Sequence, residues 1–509
     1  MSARLSRYRS LRRALCVILL GLAFAGCDSN DNDSFLGLGE ISFRGQLVQE
    51  PTRVTLFSTS DLNAALADPS RAALAQLAGA PVCNVEVHHF QYRTIGAQDE
   101  NTVASGALMV PAGDHERCRG ERPIVLYGHG TAVERAFNLA NVSLSSGGES
   151  FVLAAGFAAH GYIVVAPNLA GYDTSTLPYH PYLNADQNAK DMIDALRAAR
   201  RALPTSSAPD TRADSKLFIT GYSAGGHVAM ATHRALEEED IQVTAAAPMS
   251  GPYALSTFGD MVYHGQVNLG ATVFSVLIAT SYQRAYGDLY DAATELFEVR
   301  YANGIESLLP SNVPASDLFA QGLLPQLQLF SNTPPAPEYA SITPPVTQSP
   351  FAPLHAVAFG PDHLLTNTSR LDYLRDAEAN PDGAFPTVTT NQPPANPGHP
   401  LRVALKRNDL RNWTPEAPVL LCGGNGDPTV YYVNTELMQA YWSTRSAQLT
   451  VLDVDSPVTP GERFEAHKAA FAAAKAEVEA NGIVQLLLSY HGLVSPYCTL
   501  AARAFFDGF

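Results

Sequence analysis

Short apolar runs recur along this chain, and stretches of helical character separate them. The runs are PIVLYGHG (123–130), YIVVAPN (162–168), LFITGYS (217–223), TAAAPMSG (244–251), APVLLCGG (417–424) and AQLTVLDVD (447–455). Apolar side chains at successive positions over so few residues fit strands buried on both faces, the environment of a parallel sheet. Between them, 184–203 places Met192, Ile193, Leu196 and Ala199 on one helical face, and 226–239 (GHVAMATHRALEEE) follows a run directly. Upstream, 82–95 alternates in part between apolar and polar residues and 102–111 follows it closely, as in a half-buried hairpin. Alternating strands and helices predict an α/β fold: a mostly parallel central sheet flanked by helices and joined by right-handed crossovers.

The alternation fails in one place. Between Tyr253 and Trp413 no buried-strand run occurs; 270–305 has helical character, and 334–353 and 391–400 are proline-rich. That is too long for one connection. It reads as a large helical cap insertion over the end of the sheet, the alternative being an ancillary domain away from any site. The predicted organisation is a leader at 1–27, a tether and N-terminal extension at 28–80, core at 81–252, cap at 253–412 and core again at 413–509. No internal repeat is visible.

The leader has a basic start (Arg4, Arg7, Arg9, Arg12, Arg13) and an apolar stretch, 14–25, too short to span a bilayer as a mature helix. It ends in FAGC, which resembles the lipobox of bacterial lipoprotein signals, with Cys27 as the residue that takes the lipid. Phe24 stands where leucine is more usual, so plain secretion is the alternative. The polar stretch 28–34 (DSNDNDS) reads as a flexible tether. The expectation is an exported bacterial protein, lipid-anchored to the cell envelope in the periplasm or at the outer membrane, or secreted. Four cysteines remain beyond Cys16 and Cys27: Cys83, Cys118, Cys422 and Cys498. An even remainder in an exported chain predicts two disulfides, with three connectivities open and Cys83–Cys118 plus Cys422–Cys498 favoured by neighbourhood. No Cys/His spacing fits zinc. The net charge of −16 argues against nucleic acid or anionic lipid as the main partner, since both want a basic face.

Chemistry centres on GYSAGG (221–226), at the junction of an apolar run and a helix. G-x-S-x-G in that context is a nucleophile elbow: glycines let strand and helix pack around a sharp turn that projects the serine hydroxyl. Ser223 is thus the candidate nucleophile. A serine needs a base and an orienting acid, in the chain order Ser, Asp or Glu, His. Asp427, in GGNGDPTV after a later strand, is the candidate acid, with Asp453 and Asp455 as rivals. His491, in SYHGLV, is the candidate base, expected in a loop before the last helix with Gly492 giving that loop freedom. His467 lies in a probable helix, where exposure is the ordinary expectation. The oxyanion donors expected are the N–H groups of Ala224 and of Thr131, in GHGT (128–131), with Gly130 as the alternative to Thr131. His129 is expected to fix that loop. Tyr222 and Tyr172 either line the pocket or pack.

GHGT, APNLAGYDTS (166–175), HPYL (180–183), GYSAGG, GDPTV (426–430) and YHG (490–492) resemble the α/β-hydrolase superfamily. They are most similar to bacterial relatives of the secretory lipase and carboxylesterase group. The likeness runs through about 82–253 and 412–509. It implies hydrolysis of carboxylic esters through an acyl-enzyme, no cofactor or metal, and a cap that shapes the acyl pocket. A serine peptidase of the same fold would use the same triad. A non-catalytic binding protein of this fold would lack part of it, whereas all three candidates are present.

Overall fold

The computed structural model describes residues 43–145, 147–345, 350–445 and 447–509. The leader, Cys27 and the tether expected from residue 28 lie outside the described residues as far as residue 42.

The sheet has nine strands in the order β1-β2-β3-β5-β4-β6-β7-β8-β9. They are β1 (Thr52–Phe57), β2 (Asn84–Ile95), β3 (Asn101–Ala112), β4 (Gly120–Gly128), β5 (Ile163–Pro167), β6 (Thr211–Tyr222), β7 (Ala245–Met249), β8 (Val419–Gly423) and β9 (Leu449–Asp453). The first three pair antiparallel, and β3 joins β5 antiparallel. From β5 to β9 every pairing is parallel. Each predicted run is thus a strand, to within a few residues at its ends. The antiparallel edge strand β1 escaped the sequence reading because TRVTLF is mostly exposed and lacks the doubly buried pattern.

Helices used below are α1 (Glu149–Gly156), α2 (Ala185–Ala202), α3 (Ala224–Glu238), α4 (Leu255–Tyr263), α5 (Ala271–Tyr286), α6 (Asn367–Ala379), α7 (Pro400–Arg407), α8 (Val433–Trp442), α9 (Glu465–Glu479) and α10 (Ile483–Phe506). Alternate residues of the strands face opposite layers, as the two-residue period of a strand requires. Val125, Tyr127 and Phe218 face the side of α1 and α10. Ile124, Leu126, Leu217 and Ile219 face α2 and α3. Between β7 and β8 the chain forms a helical layer with its own buried cluster, built from α4, α5, α6 and α7 and the turns that link them. Within that insertion the described residues contain isolated bridges but no named strand.

Both expected disulfides are present, Cys83–Cys118 and Cys422–Cys498. The second ties the end of β8 to α10. No helix among the described residues is long and apolar enough to cross a membrane.

Candidate active site

The GYSAGG stretch turns from β6 into α3, with Ser223 between them at φ 59° and ψ −125°. A non-glycine residue held there stores roughly 1–3 kcal/mol of strain. The surroundings over-determine it. Ser223 N–H donates to the Met249 carbonyl at 3.0 Å, and Gly226 N–H donates back to the Ser223 carbonyl at 2.8 Å. A Cβ on Gly221 or on Gly225 would collide with the Gly128 carbonyl, so β4, β6 and the start of α3 meet at a distance only glycine permits.

Asp427 is buried in the loop after β8, 1% exposed. Its Oδ1 accepts the N–H groups of Thr429 (2.9 Å) and Val430 (3.1 Å), which fixes the carboxylate plane. Its Oδ2 meets His491 Nδ1 at 2.6 Å. The other ring nitrogen, His491 Nε2, is buried and has no partner among the described residues. Neither rival acid contacts this ring: Asp453 holds Asn425, and Asp455 takes Lys475 and Tyr490.

One expectation needs correction. His491 is not in a loop before the last helix; it lies inside α10, which runs Ile483–Phe506. Gly492 is therefore a helical residue. Nothing in YHGLVSP breaks a helix at Gly492, and Pro496 is accommodated within α10. The backbone braces the ring instead. Tyr222, next to the serine, donates its hydroxyl to the His491 carbonyl, and the two rings pack at a tilt of 38° with centroids 4.9 Å apart. Burial, then the Asp427 charge, raises the Tyr222 phenol well above its ordinary value, so it remains a donor. Tyr490 donates to Asp455 Oδ2 at 2.6 Å and accepts Gly426 N–H at 3.0 Å, tying α10 to the acid loop. His467 is another correction: it is 8% exposed, packed edge-on against Phe464 rather than facing solvent.

The GHGT loop lies beside the serine. A Cβ on Gly130 would stand 3.7 Å from Ser223 Cβ. Gly130 N–H is taken by Glu149 Oε1 at 3.0 Å, and the same oxygen accepts the Tyr127 hydroxyl. No hydrogen bond engages the N–H of Thr131 or of Ala224 among the described residues. Thr131 Oγ1 pairs with the Tyr182 hydroxyl at 2.6 Å. His129 is wedged between the carbonyls of Gly130 (2.6 Å) and Asn168 (3.0 Å), and burial lowers its pKa; it fixes the loop as expected. Tyr172 packs, donating to the Ala132 carbonyl at 2.6 Å. Glu149 is the side chain beside the candidate site that the sequence reading missed. Its signal, a lone acid in the first turn of α1, resembles ordinary helix capping.

Ser223 and Ala224 open onto a cavity of about 100 Å³ under the insertion. Its walls are apolar side chains of α4, α5 and α7, among them Phe258, Phe274 and Leu405. No group of three or more His, Cys, Asp or Glu among the described residues is placed to hold a metal.

No protein-family model matches the chain, and no curated protein matches it. Among solved structures, the rice cell wall degrading esterase LipA from Xanthomonas oryzae is similar at 27% identity and TM-score 0.66, over 91% of this chain and 99% of that one. A protein from Legionella pneumophila is similar at 19% identity and TM-score 0.63, over 91% of this chain and 98% of that one, and bears on the fold alone.

Proposed function

We propose, from the premise that this chain has the α/β-hydrolase fold, that it is a serine esterase or lipase: it hydrolyses carboxylic esters with Ser223 as nucleophile, His491 as base and Asp427 as orienting acid. The observation that carries the reading is the His491 ring, bonded to Asp427 on one side and unpartnered on the other, in a fold whose elbow projects Ser223. The likeness to LipA, an esterase, supports ester substrates.

His491 Nε2 takes the hydroxyl proton as Ser223 Oγ attacks the ester carbonyl. The carbonyl oxygen gains the electron pair and accepts the N–H groups of Ala224 and Thr131, which make no other hydrogen bond among the described residues. Gly130 is passed over because Glu149 occupies its N–H. The intermediate collapses, the C–O bond to the alcohol breaks, and His491 returns its proton to the leaving oxygen. Water, deprotonated by His491, then attacks the acyl-enzyme and releases the acid and Ser223. Asp427 holds the ring with Nδ1–H toward itself and stabilises the imidazolium.

Two disulfides suit an oxidising compartment, in keeping with export, and a lipid anchor at Cys27 remains part of the proposal. The test is hydrolysis of p-nitrophenyl esters from acetate to palmitate by the mature protein and by Ser223→Ala. Turnover by the wild type that the variant loses is expected. A folded wild type that cleaves no ester would contradict the reading and favour a peptidase or a binding protein.

A further inference from the structure

Leu296 and Leu401 line the cavity at Ser223, and both leucines also wall a second, outer cleft of about 640 Å³. That cleft carries Glu295, Asp372 and His399 beside apolar groups such as Leu289 and Tyr290. A single layer of two side chains, 7% and 9% exposed, therefore separates the apolar interior from a solvent-facing cleft. The lining is also tight at Gly259. Gly259 of α4 has no room for a side chain, since a Cβ there would lie 2.6 Å from Leu405 Cδ1 and 2.8 Å from the Tyr373 hydroxyl.

We propose that Leu296 and Leu401 are the end wall of the acyl site and set the upper limit on acyl length. The inference rests on the esterase reading above and specifies its substrate class. An apolar cavity of about 150 Å³ accommodates benzene, with its six carbons. The cavity at Ser223, at about 100 Å³, is smaller still, and an acyl group that stays within it is short. The enzyme is thus a short-chain acyl esterase. A longer chain has to displace one of the two leucines, and beyond them it enters an outer cleft that holds Glu295 and Asp372.

The test compares kcat/KM for p-nitrophenyl octanoate with that for the butanoate, as a ratio within each protein. The proteins are wild type, Leu296→Ala, Leu401→Ala and Ser275→Phe, the last filling the same cavity. Thermal melting and labelling of Ser223 by a fluorophosphonate, read by mass spectrometry, report folding and an intact nucleophile. The wild-type ratio is expected below about 0.1, since one poorly fitting methylene already discriminates about tenfold. Each alanine variant raises it at least about tenfold as the end wall opens, and Ser275→Phe shifts preference from butanoate to acetate. Folded, labelled alanine variants whose ratio stays within about twofold of wild type would overturn the end wall and leave the esterase reading standing. A wild type that prefers octanoate also overturns it. Absence of both ester cleavage and Ser223 labelling defeats the esterase reading, and the end wall with it.

Discussion

The surroundings of Ser223 and the helical insertion place their buried polar groups by different means. Around Ser223 the work is done by backbone: glycines at 128, 221 and 225 allow close approach, and amide groups hold Asp427. The insertion relies on side-chain charge. Arg402, 1% exposed, meets Asp260 at 2.8 Å and Asp376 at 2.7 Å. Arg411, also buried, meets Asp382 and Asp409, each at 2.8 Å. Arg370 is fully buried and has no carboxylate partner among the described residues; it donates to Thr343 and the Ile342 carbonyl and lies over Phe330, and burial lowers its pKa to about 10. Backbone sterics fix a geometry to a fraction of an ångström, as a nucleophile requires. Paired charges tie together helices whose own packing need only shape a pocket, and they leave the layer exposed to any change that removes one partner.

That contrast orders the expected effects. Ser223→Ala removes the proposed nucleophile and should lower kcat/KM by about 10⁴-fold or more while leaving the melting temperature near wild type, because the chemistry and the fold are separately held. Asp427→Asn keeps the shape but favours the wrong His491 tautomer, and kcat falls by about 10³- to 10⁴-fold. A loss below tenfold would mean that the acid lies elsewhere. Arg402→Met strands Asp260 and Asp376, and urea unfolding should show about 3–5 kcal/mol lost. A loss under about 1 kcal/mol would show that apolar packing alone holds the insertion. Cys422→Ser with Cys498→Ser frees α10 from β8, with about 2–4 kcal/mol lost and a higher KM or lower kcat as His491 loosens.

The smallest effect is on pH dependence. Burial is the main cause that lowers His160, His227 and His399 to about 4 and His180 to about 3. Each must stay neutral in the fold, so its contribution is complete above pH ~6.5 and is lost as pH falls toward those values. Asp191, raised to about 7 mainly by burial, acts in the opposite sense: its contribution is complete below the ordinary aspartate range and is lost as pH rises to about 7. Four histidines outweigh it. The melting temperature should therefore be lower at pH 5.0 than at pH 7.5, and a higher value at pH 5.0 would contradict the assignment.

The same division explains what the sequence disclosed. The parallel strands were legible because burial on both faces leaves unbroken apolar runs, and Ser223 because its glycines sit at fixed spacing. Asp427 and His491 followed from chain order and from flanking cysteines that do pair. The helical setting of His491 was not legible, since YHG reads as a turn until Tyr222 and the disulfide are seen to hold α10 in place. The partners Asp260–Arg402 and Asp382–Arg411 are far apart in the chain, and no local pattern links them. Glu149 was hidden for the same reason: its contact with Gly130 exists only after β4 and α1 pack.

The central claim is that Ser223 is a nucleophile activated by His491, and covalent capture tests it most directly. The mature protein is treated with a fluorophosphonate, its intact mass is measured and the adduct is mapped by peptide sequencing, with His491→Ala alongside. The account predicts one adduct per chain, on Ser223, formed at least about 10³-fold more slowly in His491→Ala. An unlabelled wild type, an adduct on another serine, or equal rates in the two proteins would contradict it.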